Sequence, residues 1–291
     1  MSIIPLLSTT KAVFSPAKNP PHGLVRSAVL FPQNLPEDVA PIQEIFSSIQ
    51  GEGIYAGARQ IFVRFAHCHL QCAYCDTPMT TPDGRCMVEA VPGSNQWHSL
   101  ESPVAEANLV ALVQHFITQY GTHHSVSFTG GEPLLYKPYL QQVLPAIQQL
   151  GVKTYLETSG TQPHLLKPLL PFLDVVAMDV KLPSATKQAP RWTEHQAFYA
   201  LLATSAEFTG EVFVKCVFNA TTTLEELAHL KTIITNPKTV IYLQPETPLT
   251  AHNTITLQVD TLQLLALQAG VAQWFEDVRV LPQLHKFLQV S

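Results

Sequence analysis

Cys68, Cys72 and Cys75 stand with three and two residues between them, at the end of the apolar run 60–66. Three thiolates this close can hold three corners of a four-iron cluster. The fourth iron is then left without a protein ligand, free to bind another molecule and do chemistry on it. Scattering the chain's five cysteines at random gives this spacing in roughly one chain in a thousand. The competing reading is structural zinc, since His67 and His69 flank Cys68 and three thiolates with one imidazole satisfy a tetrahedral ion. Zinc sites more often use two separated Cys-x2-Cys pairs, and the chain has no second pair. An odd number of cysteines in a long chain with no visible signal peptide does not suit a disulfide framework. Cys216, inside the strand-like run 211–218, reads as a core thiol. Cys86 follows a Pro-Asp-Gly turn and reads as an exposed thiol without a role.

The elements that must position such a site recur along the chain. Apolar runs at 60–66, 125–129, 152–157, 174–180, 211–218, 239–243 and 277–281 read as strands. Amphipathic stretches at 104–120, 137–150, 163–170, 191–205, 222–235 and 258–269 read as helices. Thr222 and Thr223, ahead of Glu225 and Glu226, supply an N-cap and an acidic first turn. This alternation builds an α/β fold, a parallel sheet with helices outside, whose working residues gather at the carboxyl ends of the strands. Those ends are polar where the strand middles are apolar. Thr129, Gly130, Gly131 and Glu132 follow the second strand, and Glu157 with Ser159 closes the third. Asp179 and Lys181 close the fourth, Gln244 and Glu246 a later one, and Gln283, His285 and Lys286 the last. A Gly-Gly pair at such an end lets the backbone approach a ligand closely.

Residues 1–40 hold six prolines and no sustained period, so they read as an extension over the core, with regular structure starting near Ile42. Residues 78–103, with four prolines and two glycines, break the rhythm and read as an insertion placed to cover a site. The catalytic domain then spans 41–291. With 46% hydrophobic and 13% charged residues, the 291-residue chain has the composition of a folded domain. A net charge of −5 without a basic stripe argues against a nucleic-acid surface. No apolar run approaches the ~20 residues needed to span a bilayer, so the expected location is the cytoplasm, whose reducing conditions suit an oxygen-sensitive cluster.

The Cys-x3-Cys-x2-Cys loop followed by Gly130-Gly131-Glu132-Pro133 resembles the radical S-adenosylmethionine superfamily. Three further motifs resemble the 7-carboxy-7-deazaguanine synthase family within it. They are Ser48-Ile49-Gln50-Gly51-Glu52-Gly53 with Gly57, Tyr74-Cys75-Asp76-Thr77, and residues 278–286 with their Pro282-Gln283-Leu284-His285-Lys286 segment. The resemblance covers residues 41–288 and implies an incomplete, TIM-like (β/α) barrel, a homodimer, and a ring contraction in queuosine and deazapurine biosynthesis. In that reaction 6-carboxytetrahydropterin becomes 7-carboxy-7-deazaguanine with release of ammonia. It implies a [4Fe-4S] cluster on Cys68, Cys72 and Cys75, S-adenosylmethionine on its open iron as the source of a 5′-deoxyadenosyl radical, Mg2+ and an electron donor such as flavodoxin or ferredoxin. S-adenosylmethionine would meet Tyr74, Cys75, Asp76, Gly131, Asp179, Val180, Lys181, Gln244, Pro245, Glu246 and Thr247, with Glu157 and Ser159 also in reach. Thr77 matches the Mg2+ position, with the substrate carboxylate and water as the main ligands. Ile49, Gln50, Gly51, Arg64 and Thr129 match substrate positions, with Gln283 and His285 completing the pterin pocket.

Arg64 carries a physical argument of its own. It is a cation inside an apolar strand, and a buried guanidinium needs either the substrate carboxylate or a structural counter-ion. The chain departs from the family at His67 and His69, where Gly and Asn are usual, at Ser159 in place of Asn, and at its Val290-Ser291 end. Two other functions stand beside this one. A glycyl-radical activating enzyme would leave Gln50 and Arg64 without a purpose, and a zinc-stabilised binding module would leave the polar strand ends without one.

Overall fold

The computed structural model describes residues 8–12, 35–77, 84–247 and 259–290. The strands are β1 (Ser8–Ala12), β2 (Val39–Ala40), β3 (Ile42–Ile49), β4 (Arg59–Phe65), β5 (Arg85–Glu89), β6 (Trp97–Glu101) and β7 (Val104–Ala105). Then follow β8 (Ser125–Gly130), β9 (Lys153–Thr158), β10 (Val175–Asp179), β11 (Glu211–Phe218), β12 (Ile241–Pro245) and β13 (Val278–Val280). Eleven strands form one sheet in the order β1-β6-β5-β3-β4-β8-β9-β10-β11-β12-β13. From β4 to β13 every neighbour pair is parallel and in chain order. Each parallel step is bridged by helical structure, such as Glu106–Tyr120 before β8, Lys137–Gln149 before β9 and Trp192–Thr204 before β11.

Side chains alternate strictly across this sheet. Val126, Phe128, Leu156, Val176, Met178, Val214, Cys216, Ile241 and Leu243 join the helices in the large outer core. Tyr155, Val175, Ala177, Phe213 and Tyr242 take the other parity and pack together on the inner face, with Ile54 and Tyr55 against them. The sheet is strongly curled. Glu52, in the β3–β4 loop, pairs with Lys215 on β11, four strands beyond β4. A flat sheet would separate them by about 19 Å at ~4.8 Å per strand. The gap is crossed by the chain near Gly51 and the segment after β13, joined where the Leu284 N–H donates to the Gly51 carbonyl at 2.9 Å. This is the expected incomplete (β/α) barrel.

Several elements differ from the sequence expectation. Ile42–Ile49 is a full strand, and Ser8–Ala12 and Val39–Ala40 show that residues 1–40 contribute strands as well; the rest of 1–34 lies outside the described residues. The described part of the 78–103 insertion does not cover the barrel mouth. It forms β5 and β6, which extend the sheet past β3 because their apolar residues bury on it: Glu44 pairs with Met87 and Ile45 with Val88. Residues 78–83 lie outside the described residues. Cys86 is fully buried on β5, not exposed, while Cys216 is the core thiol expected. The helix expected over 222–235 breaks into Leu224–Leu227, capped by Thr223, and Leu230–Ile233. The last long helix starts at Thr261, where Asp260 caps it; residue 258 lies outside the described residues.

Glu132, fully buried after β8, ties two strand ends together. Its carboxylate accepts from Leu134 N–H at 3.2 Å and Thr158 Oγ1 at 2.8 Å, and from Ser159 N–H at 2.9 Å and Oγ at 2.6 Å. An amide can accept at only one of these oxygens. Glu132→Gln is expected to lower stability by about 2–3 kcal/mol in urea unfolding of the full chain, because a donor is left facing donors.

Candidate active site

The carboxyl ends of the parallel strands share one mouth, and polar contacts run across it without a break. Glu157 on β9 accepts from Gln50 Nε2 at 2.9 Å, Thr129 Oγ1 at 2.9 Å and Ser127 Oγ at 3.3 Å. Gln50 also donates to Gln60 at 2.9 Å, and its oxygen accepts the Glu52 N–H at 3.0 Å. The Glu52 carboxylate pairs with Lys215 and accepts from Gln283 at 2.9 Å and Gln244 at 3.2 Å. Lys215 lies 3.3 Å from Asp179, which pairs with Lys181 at 2.6 Å. Lys181 Nζ then donates to the Tyr74 hydroxyl at 3.2 Å, inside the cysteine loop.

A second set of contacts holds the C-terminal segment against the same mouth. Lys286 pairs with Asp76 at 2.8 Å and donates to the Thr247 carbonyl at 3.0 Å. His285 lies on Gly51 so closely that a Cβ there would sit 2.2 Å from its Nδ1. Gly131 is equally constrained, since a Cβ would meet the His67 carbonyl at 1.7 Å. The Gly-Gly pair therefore brings β8 against the cysteine loop, and the Gly131 N–H is engaged by the Phe65 carbonyl at 2.9 Å.

The charges shape one another. Burial alone would raise the Glu52 pKa, but Lys215 and His285 outweigh it and hold the carboxyl far below its ordinary value. Burial likewise disfavours the Lys215 cation, yet Asp179 and Glu52 raise its pKa above the usual lysine range. Asp76 is depressed: burial opposes ionisation, and Lys286 and Arg64 overcome it. Burial pushes the Cys68 thiol up to about 12, with Glu132 adding to the shift.

The three cysteine thiols are partly buried, and the Leu70 N–H lies 3.4 Å from Cys68 Sγ. His67 contacts the Tyr136 hydroxyl at 2.8 Å and His69 the Thr161 hydroxyl at 2.7 Å. Each flanking imidazole thus has a hydroxyl partner. Among the described residues no group of three His, Cys, Asp or Glu converges on a point that would hold a single metal ion. A cluster needs a different arrangement, with thiolates spread round a cube and one corner left to a ligand. Three partly buried thiols, Cys68 with a backbone N–H directed at its sulfur, beside hydroxyl-bound histidines fit that group.

Other expected positions divide. Ile49 is half-buried at the end of β3, Val180 just past β10 buries its side chain in the large core, Pro245 is the buried last residue of β12, and Thr77 places its carbonyl 3.8 Å from Cys75 Sγ. Ser159 donates to Glu132 through its hydroxyl, and Glu246 accepts from Asn219, just past the end of β11, at 3.1 Å. Arg64 has a structural counter-ion, Glu44, at 2.5 Å through Nε. Sequence reasoning missed Glu52, Lys215 and Glu44. Lys215 carried the same signal as Arg64, a cation in an apolar strand.

The Radical SAM superfamily model matches residues 62–199. The chain is similar to the 7-carboxy-7-deazaguanine synthase of Geobacter sulfurreducens, 35% identical over 86% of this chain and 97% of the relative. The synthase of Methanopyrus kandleri is 33% identical over 85% of this chain and 92% of its own length. The crystal structure of QueE from Escherichia coli shares the fold, with a TM-score of 0.57 at 24% identity over 85% of this chain and 95% of that one. No helix among the described residues is long and apolar enough to cross a membrane.

Lys215→Met is expected to cost about 3–5 kcal/mol at neutral pH, because it leaves Glu52 and Asp179 buried without their cation. Glu52's folded pKa lies below its ordinary 4.5, so its contribution is full above pH 4.5 and is lost as pH falls below that value. Urea midpoints should therefore show a wild-type advantage that is full near neutrality and narrows below pH 4.5.

Proposed function

The chain belongs to the 7-carboxy-7-deazaguanine synthase family, and on that premise we propose that it contracts 6-carboxytetrahydropterin to 7-carboxy-7-deazaguanine with release of ammonia. One observation carries the reading. Gln50, Thr129 and Glu157, which would meet the pterin, are joined through Glu52, Lys215, Asp179 and Lys181 to Tyr74 beside the cluster cysteines. A substrate site and a radical source must share one water-poor cavity, and these contacts span that distance without leaving the protein.

Cys68, Cys72 and Cys75 would hold the cluster. When bound, the cluster and S-adenosylmethionine supply a 5′-deoxyadenosyl radical by one-electron cleavage of the sulfonium. The chain's own residues bind and orient. The Gly131 carbonyl is free of the role its N–H plays and suits an amino group. Asp179, Lys181 and Gln244, fixed by Lys215 and Glu52, present charge and hydrogen bonds to the nucleoside and methionine parts. Glu157, an acceptor-only carboxylate, suits the amino-bearing edge of a pterin. Arg64 keeps Glu44 through Nε, which leaves its terminal nitrogens for the substrate carboxylate. Gln283 and His285 would close the pocket, held there by Glu52 and Gly51. Thr77 and the substrate carboxylate would share Mg2+, a cation that prefers oxygen. A flavodoxin or ferredoxin as electron donor, a homodimer, a cytoplasmic location and a place in tRNA queuosine formation complete the proposal.

In anaerobic assays with dithionite, Cys72→Ala is expected to abolish both the visible absorption of the reconstituted protein and ammonia release. Arg64→Ala should raise the pterin KM by about tenfold or more while S-adenosylmethionine is still cleaved. Ammonia at the wild-type rate from Cys72→Ala would end this reading.

A further inference from the structure

Behind the strand ends one side chain holds two backbones at once. His195, on the helix Trp192–Thr204, is fully buried. Its Nε2 accepts the Lys181 N–H at 3.0 Å, and its Nδ1 donates to the Gly160 carbonyl at 3.1 Å. An amide N–H only donates and a carbonyl only accepts, so these partners fix one neutral tautomer, protonated at Nδ1. Burial holds the imidazole pKa down to about 4, which keeps it in that state near neutrality.

Gly160 and Lys181 lie just past the β9–β10 ladder, whose last pair is Thr158 with Met178. The ring therefore continues across the sheet where main-chain pairing stops. What it fixes on the β10 side matters: the Lys181 ammonium pairs with Asp179 and reaches Tyr74 of the cysteine loop. A change in the position of the Lys181 backbone would move the Lys181 ammonium and the Asp179 carboxylate relative to Tyr74 and the cysteines.

We propose that His195 is a positioning residue for S-adenosylmethionine, setting the spacing of the β9 and β10 ends so that residues 179–181 meet the cofactor. This rests on the assignment of those residues in the proposed function. His195 itself touches no ligand, and it acts through two backbone groups that a glutamine amide can also satisfy, with its oxygen accepting and its nitrogen donating.

The test uses the full chain with its cluster rebuilt anaerobically. S-adenosylmethionine affinity is measured by equilibrium dialysis for wild type, His195→Phe, His195→Asn and His195→Gln. Iron content, thermal midpoint and pterin KM are followed in parallel. Phe should weaken S-adenosylmethionine binding by about tenfold or more, with pterin KM and iron content within about twofold of wild type. Gln should stay within about threefold, and Asn, with a shorter reach, should fall between. Should Phe not fold, the contrast between Asn and Gln still decides. Wild-type affinity in both Phe and Asn overturns the proposal. So does a parallel loss of iron, midpoint and both affinities in every variant, which marks a purely structural role. A wild-type protein with full iron content and no S-adenosylmethionine affinity overturns the proposed function and this assignment with it.

Discussion

The buried cation Lys215, held between Glu52 and Asp179, is the constraint on which the rest of the molecule depends. Glu52 belongs to the loop that enters the first parallel strand, whereas Lys215 and Asp179 belong to strands well along the sheet. Their attraction is strong because the surroundings are poor in water, and each charge would be costly alone. It therefore favours the curled sheet over a flat one. Once the sheet curls, Gln244 and Gln283 also reach Glu52, so one carboxylate gathers groups from three other parts of the chain.

Around that centre the inner face of the barrel is graded. Aromatic side chains, Tyr155, Phe213 and Tyr242, fill the end near the strand starts. Titratable and amide side chains occupy the end near the strand termini. The gradation follows from two-residue alternation along each strand. On β11 Phe213 and Lys215 face the same way, as do Tyr155 and Glu157 on β9 and Tyr242 and Gln244 on β12. A dry floor beneath a charged rim excludes water from below while leaving the rim open to ligands.

Much of this was legible in the sequence. Seven strands of a parallel sheet followed from apolar runs, and the cysteine spacing with the Gly-Gly-Glu-Pro end located the rim. What could not be read was of two kinds. Long-range pairings, such as Glu44 with Arg64 or Glu52 with Lys215, depend on register and curvature that no local window contains. Arg64 was correctly singled out as a cation needing a partner, yet the partner that the fold supplies at Nε is a strand neighbour. The second kind is edge structure. Residues 84–103 look like a loop because of Pro92, Gly93 and Pro103, and only the exposed flank of β3 gives their short apolar runs something to bury against.

The alternation on β11 also sets how this protein can change over evolutionary time. Val214 and Cys216 face the helices, and Phe213 and Lys215 face the cavity. A point change on the first pair therefore alters only the shell. A one-residue insertion or deletion within that strand would exchange the two sets, sending sulfur inward and an ammonium into oil. Such strands can drift by substitution but not by indels, so new length should accumulate at connections like the β5–β6 hairpin, which lies outside the parallel part of the sheet, beyond β3.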